Sequence, residues 1–170
     1  RLLCIFTAFI LMFTLLNIGV FDAEAETKPA TKVVLGTADG KGIELNAETP
    51  VYVNGAVAAT KLTGDGVFSA FLDIADSANP VLCLNGLKID GYYLDTLQSD
   101  IAYGIYANGD LTIRMDGSSE ITNSYSAERI NFGIKSEGSI TFKSDTEGSL
   151  YANCKKSAAS FGVEAAGINV

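Results

Sequence analysis

The sequence has no histidine and no tryptophan, and only three cysteines and three prolines among its 170 residues. Without histidine there is no imidazole base, so a Ser-His-Asp or Cys-His nucleophile and zinc sites that use His are excluded. Arginine is nearly as scarce: after Arg1, only Arg114 and Arg129 carry a guanidinium. Positive charge is in deficit throughout, with 12 Lys and Arg against 20 Asp and Glu and a net charge of −8 at pH 7. Affinity for nucleic acid comes mostly from neutralising phosphates with Lys and Arg, so this balance argues against a nucleic-acid partner. Three cysteines do not make a dense disulfide framework, which leaves a hydrophobic core to hold the fold.

One long apolar run is present. Residues 2–20 carry no charge, follow the basic Arg1 and are dominated by Leu, Ile, Phe and Met. Ala23-Glu24-Ala25 then places small residues where a signal peptidase reads them, predicting a signal peptide over residues 1–25 and cleavage before Glu26. An uncleaved single span of about 20 residues has the same length requirement. The expectation is a protein secreted or held at the cell surface, touching the membrane only through this segment. Cleavage leaves 11 basic and 18 acidic side chains. Of the cysteines, Cys83 and Cys154 remain; a disulfide between them is open, as is their reading as small buried apolar residues.

Beyond the leader the chain repeats. Gly104-Ile105-Tyr106-Ala107-Asn108-Gly109-Asp110-Leu111-Thr112-Ile113 aligns with Gly133-Ile134-Lys135-Ser136-Glu137-Gly138-Ser139-Ile140-Thr141-Phe142 and with Gly162-Val163-Glu164-Ala165-Ala166-Gly167-Ile168-Asn169-Val170 at a period of about 29 residues. An aromatic residue precedes each leading glycine, as Tyr103, Phe132 and Phe161. Within a copy, apolar and polar residues alternate, which predicts strands with one buried face. Asn108-Gly109 and Glu137-Gly138 stand where the chain must turn, and glycine there supplies positive φ without steric cost. Asp116-Gly117 and Glu147-Gly148 punctuate again before a third short strand, Ser118–Asn123 and then Ser149–Asn153.

Three strands per repeat predict one coil of an all-β, right-handed parallel β-helix, with Ile105, Ile134 and Val163 in one inward column and Leu111 over Ile140 and Ile113 over Phe142 beside it; a β-sandwich or meander is the alternative, against which the fixed register of the aromatic-Gly-apolar unit argues. Val81–Asp90 reads as a more distant first rung in which Gly86-Leu87-Lys88-Ile89 matches the second half of the unit. The domain plan is a leader over 1–25, a linker over 26–32, a non-repeating N-terminal β cap over 33–80 and β-helix rungs over 81–170. An open solenoid end exposes unpaired backbone, so a cap is expected at the start and the pattern predicts further rungs beyond Val170.

The units Tyr103–Ile113 and Leu82–Ile89 resemble the carbohydrate-binding β-helix proteins of clostridia and related gut Firmicutes, a pectate-lyase-like family. The resemblance covers about residues 80–170 and implies a non-enzymatic polysaccharide-binding domain, with plant or bacterial cell-wall glycan as partner. Its repeated positions are those that build the coil, so none of the family's binding residues is carried over. A surface adhesin or structural spacer is the alternative, and a polysaccharide lyase a distant third.

Sugar recognition calls for an exposed aromatic face with polar groups beside it. The candidates are Tyr106, at an outward position equivalent to Lys135 and Glu164, together with Tyr92, Tyr93 and Tyr125. Tyr103 and Phe132 recur in register and are expected to stack within the coil instead. Acids recur at the corners, as Asp110, Asp116, Glu137, Asp145 and Glu147; no cofactor is required, but crowded carboxylates admit calcium, a hard cation that takes oxygen ligands. The competing reading of these acids is a solvated, solubilising surface. A lyase would need a basic residue to remove a proton, and Arg114, flanked by Asp110 and Asp116, reads more simply as a corner residue paired with its own acids.

Overall fold

The computed structural model describes residues 28–55, 67–95, 101–126, 130–144, 147–155 and 159–170, so the leader and Asp145 lie outside the described residues. Those residues form an all-β protein of fifteen short strands with no helix. The first seven are β1 (Val33–Leu35), β2 (Ile43–Leu45), β3 (Val51–Tyr52), β4 (Ala70–Asp73), β5 (Val81–Leu84), β6 (Lys88–Gly91) and β7 (Tyr93–Leu94). The repeats follow as β8 (Ile101–Ala107), β9 (Leu111–Met115), β10 (Ser118–Asn123), β11 (Ile130–Ser136), β12 (Ile140–Lys143), β13 (Ser149–Cys154), β14 (Ala159–Glu164) and β15 (Ile168–Asn169).

Strands of successive repeats pair in parallel, and each of the three positions in the repeat builds its own open sheet: β8-β11-β14, β5-β9-β12-β15 and β6-β10-β13. The register brings Ile105, Ile134 and Val163 into one column and Leu111, Ile140 and Ile168 into another, with Phe142 opposite Ile113. Partners lie 29 residues apart between Lys135 and Glu164, 31 apart between Ser118 and Ser149, and 28 apart between Thr141 and Asn169. The unequal spacings fall at corners, where an inserted or missing residue leaves the inward columns intact. One cluster of buried side chains joins the inner faces of all three sheets, including Ile105 and Ile134 from the first, Leu82, Ile113 and Ile140 from the second, and Ile89 and Ile121 from the third. Each such fully buried aliphatic side chain contributes about 1.5–3 kcal/mol of hydrophobic stabilisation.

The N-terminal strands close the first edges. β1 pairs antiparallel with β8, Leu35 opposite Ile105, and carries β2 outside it. β4 pairs antiparallel with β5, and β3 with β4. Antiparallel addition satisfies the edge backbone while interrupting the repeat, which protects an otherwise open edge. Lys28–Lys32, read as a linker, runs against the Asn108-Gly109-Asp110 turn: Ala30 N–H donates to the Asp110 carbonyl at 2.8 Å, Asp110 N–H donates to the Lys28 carbonyl at 2.7 Å, and the Thr31 and Lys32 amides both donate to Asn108 Oδ1.

Two readings of the sequence require correction. Gly86-Leu87-Lys88-Ile89 is not the second strand of a first rung: Leu82 and Leu84 of β5 stand opposite Ile113 and Met115, while Lys88 and Ile89 of β6 stand opposite Glu120 and Ile121. A short alternating pattern fits any strand of the unit equally well, and only the pairing distinguishes them. Gly109 and Gly138 are also not positive-φ turn residues; among the described residues that conformation is taken by Gly40, Gly42, Gly55 and Gly86. Glycine is needed at 109 and 138 for close approach, because a Cβ would run into the Lys28 carbonyl oxygen and the Asp110 amide respectively.

Both described cysteines are free. Cys83 is buried on β5, and desolvation pushes its thiol up to about 11. Burial also raises Cys154, at the end of β13.

Candidate functional site

The four tyrosines singled out in the sequence fall into two separate pairs. Tyr92 packs on Tyr125 with ring centroids 4.6 Å apart. Its backbone exchanges two hydrogen bonds of 2.9 Å with Thr37, so this pair anchors the cap to the repeats. Tyr93, Tyr103 and Tyr106 form a three-ring cluster, with Tyr93 6.1 Å from Tyr103, Tyr106 5.1 Å from Tyr103, and Tyr93 and Tyr106 6.2 Å apart between ring centroids. The Tyr106 hydroxyl donates to the Glu137 carboxylate, and burial followed by this bond raises the phenol above its ordinary range. Desolvation likewise pushes Tyr103 up to about 12. Tyr106 is therefore half-buried in an aromatic cluster rather than a free platform. Tyr103, Phe132 and Phe161 stack as expected, with successive centroids 5.9 Å and 5.2 Å apart. Lys135 lies over the Phe132 ring and pairs with Glu164.

The described corner acids do not converge. Asp110 Oδ1 accepts the Ser139 amide at 2.6 Å, Asp116 holds Arg114 through two bonds of 2.9 and 3.0 Å, Glu137 is bound by Tyr106, and Glu147 is exposed. Among the described residues no group of three His, Cys, Asp or Glu side chains lies close enough to hold a metal ion. Asp145 is outside the described residues. The Arg114 guanidinium meets its own corner acid, the simpler of the two readings given it in the sequence.

The arrangement closest to a recognition surface lies elsewhere, on the outer face of the β6-β10-β13 sheet. In β13, Leu150 and Ala152 pack on the core, and alternation sends Ser149, Tyr151 and Asn153 outward. Tyr151 is 59% exposed, the most exposed aromatic ring among the described residues. Parallel register sets it beside Glu120 and then Lys88 in one row, with Asp90, Thr122 and Asn153 in the next and Ser118 and Ser149 in the row before. Two shallow depressions of about 430 and 320 Å³ adjoin on this face, one reaching Tyr151 and the other Lys155.

No protein-family model, curated protein or solved structure matches this chain.

The chemistry of the face then rests on its own residues. Charge is compensated locally: Lys88 stands opposite Glu120 in register, and Lys155 Nζ is 3.9 Å from Asp90. What remains is a flat array of hydroxyl, amide and carboxylate groups around one exposed ring. Such a ring offers an apolar face, and the neighbouring oxygens and nitrogens offer donors and acceptors at its rim.

Three buried polar side chains tie down the backbone at the two ends of β10, the middle strand of this sheet. Asn123 is buried and its Nδ2 donates to the carbonyls of Ala102 and Phe132, both at 2.9 Å, while Oδ1 accepts the Tyr125 amide. Asn131 Nδ2 donates to the Tyr125 carbonyl at 2.7 Å, and Ser119 Oγ accepts the Leu87 amide at 3.1 Å. Each of these bonds pairs a backbone donor or acceptor with a side chain.

Proposed function

We propose that the chain is a non-enzymatic, extracellular polysaccharide-binding domain, exported by its N-terminal leader and built as a right-handed parallel β-helix whose three faces are the three sheets. Support for the coil comes from the shared core and from repeats whose three strands each pair with their counterparts in parallel. The observation that carries the binding function is the exposed Tyr151 ring set among Ser118, Glu120, Ser149 and Asn153 on a flat face. A sugar ring presents an axial C–H face and an equatorial rim of hydroxyls, and this surface offers a counterpart for each. The repeat's resemblance to carbohydrate-binding β-helix proteins points the same way.

Two features support the non-enzymatic reading over the lyase. Histidine is absent, and Arg114, the base a lyase reading would use, is engaged by Asp116. The discriminating experiment is retention of the full chain on insoluble cellulose, xylan and pectate gel, with calcium and then with chelator. Retention on cellulose or xylan that survives chelation is expected. Failure to be retained on any glycan would instead favour a surface spacer or adhesin.

A further inference from the structure

A second concave surface lies on a different sheet. A groove of about 390 Å³ runs along the outer face of β9, β12 and β15. Thr112, Thr141 and Asn169 form its polar row, directly opposite one another in register. Asn79 lines it too, from the turn before β5, together with Asp110 and Ser139 at the start of the strands. The residues alternating with the polar row, Leu111, Ile113 and Ile140, are buried in the core, so the row is held from behind.

The polar atoms are already oriented. Asn169 Nδ2 points at Thr141 Oγ1 at 3.4 Å, Asn79 Nδ2 is tied to Asp76 Oδ2 at 2.7 Å, and the Ser139 amide fixes Asp110 through Oδ1. Asp110 lines the groove together with two threonine hydroxyls and two side-chain amides. A carboxylate accepts hydrogen bonds only, whereas hydroxyls donate and accept. A ligand complementary to this set donates to a carboxylate and exchanges hydrogen bonds with hydroxyls spaced at the strand interval of about 4.8 Å. Vicinal diols along an extended sugar chain meet both requirements. A carboxylated sugar does not, because its own charge would face Asp110 with no lysine or arginine lining the groove.

We infer that this groove is a second glycan subsite, selective for neutral over uronic-acid polysaccharide, which makes the domain bivalent. This rests on the polysaccharide-binding reading above, and it adds a site whose position and selectivity that reading does not contain. Two sites on different faces engage two chains, or two stretches of one surface, and the second contact then forms at high effective concentration.

The test is calorimetric titration of the intact chain with cellohexaose and with hexagalacturonate, using wild type, Thr112→Val/Thr141→Val and Tyr151→Ala. Threonine to valine keeps the β-branched shape and removes only the hydroxyls; Asn169→Ala, at an exposed position, is the second variant should the double substitution disturb folding. Two cellohexaose sites in wild type, falling to one in each variant, with no hexagalacturonate bound, is the expected result. A single wild-type site abolished by Tyr151→Ala and indifferent to Thr112→Val/Thr141→Val and to Asn169→Ala would overturn the second subsite and leave the polysaccharide-binding reading standing. Hexagalacturonate lost with the threonine hydroxyls would overturn the stated selectivity. No binding of either sugar by wild type would overturn both readings.

Discussion

Ile134→Ala is expected to destabilise the fold by about 2–5 kcal/mol, the range for removing a large aliphatic side chain from a packed core. Ile134 is 1% exposed and stands in the column between Ile105 and Val163. The cavity would open at the middle of a stack fixed on both sides by backbone ladders, where neighbouring strands have little freedom to collapse into it. Equilibrium urea unfolding measures the effect directly. Val163→Ala, at the equivalent but half-buried position on β14, serves as the comparison and should cost much less. Equal losses at the two positions would show that the column is not packed as described.

Gly133→Ala is expected to cost at least about 1–3 kcal/mol, the usual penalty for forcing an extra methyl into a filled space. Glycine is required there by contact rather than by dihedral angle. A Cβ at Gly133 would lie 2.6 Å from the Gly162 carbonyl oxygen and 3.2 Å from the Ala152 methyl, and that oxygen belongs to the backbone of β14 rather than to the end of a flexible side chain. Gly104 meets the same obstacle, with the Gly133 oxygen at 2.5 Å. Gly162 occupies the same place in the third copy, but a Cβ there comes no closer than 3.7 Å to its nearest neighbour, the Ala152 carbonyl oxygen. Gly162→Ala should therefore be nearly neutral. Thermal melts of the two alanine variants check both halves of the expectation, and a Gly133→Ala melt unchanged from wild type would refute the contact argument.

The repeat was legible because burial in a parallel ladder leaves a direct mark on sequence. The inward positions 105, 134 and 163 must be apolar, and the aromatic residues at 103, 132 and 161 stack on one another, so both recur at fixed spacing. The N-terminal strands leave no comparable mark. Val33–Leu35 and Val51–Tyr52 are too short to show a period, and their antiparallel pairing depends on partners far along the chain. Glycine posed a different ambiguity: a turn that needs positive φ and a corner that needs close approach both select it, and Gly109 and Gly138 belong to the second kind.

The candidate site was legible in part. Alternation sends Tyr106 outward, and it does stand in register with Lys135 and Glu164. Alternation does not reveal that Tyr93 arrives from a separate strand to pack beside it, or that the Glu137 corner turns back to take its hydroxyl proton into a hydrogen bond. The signal for Tyr151 was present in the same alternation, since Leu150 and Ala152 bracket it as inward residues. Recurrence does not mark it, because Tyr151 has no aromatic counterpart in the other copies: Glu120 and Lys88 hold the equivalent positions. Acids at the corners likewise recur as a class, yet Asp110, Asp116 and Glu137 are each taken by a different partner.

The most direct measurement compares Tyr151→Ala with Tyr106→Ala for retention on insoluble cellulose, both variants first confirmed as folded by circular dichroism. Tyr151→Ala is expected to weaken binding about tenfold, equivalent to about 1.4 kcal/mol, while Tyr106→Ala leaves it unchanged. Binding lost with Tyr106→Ala and retained in Tyr151→Ala would contradict the assignment of the β6-β10-β13 face and return the site to the tyrosine cluster beneath the cap.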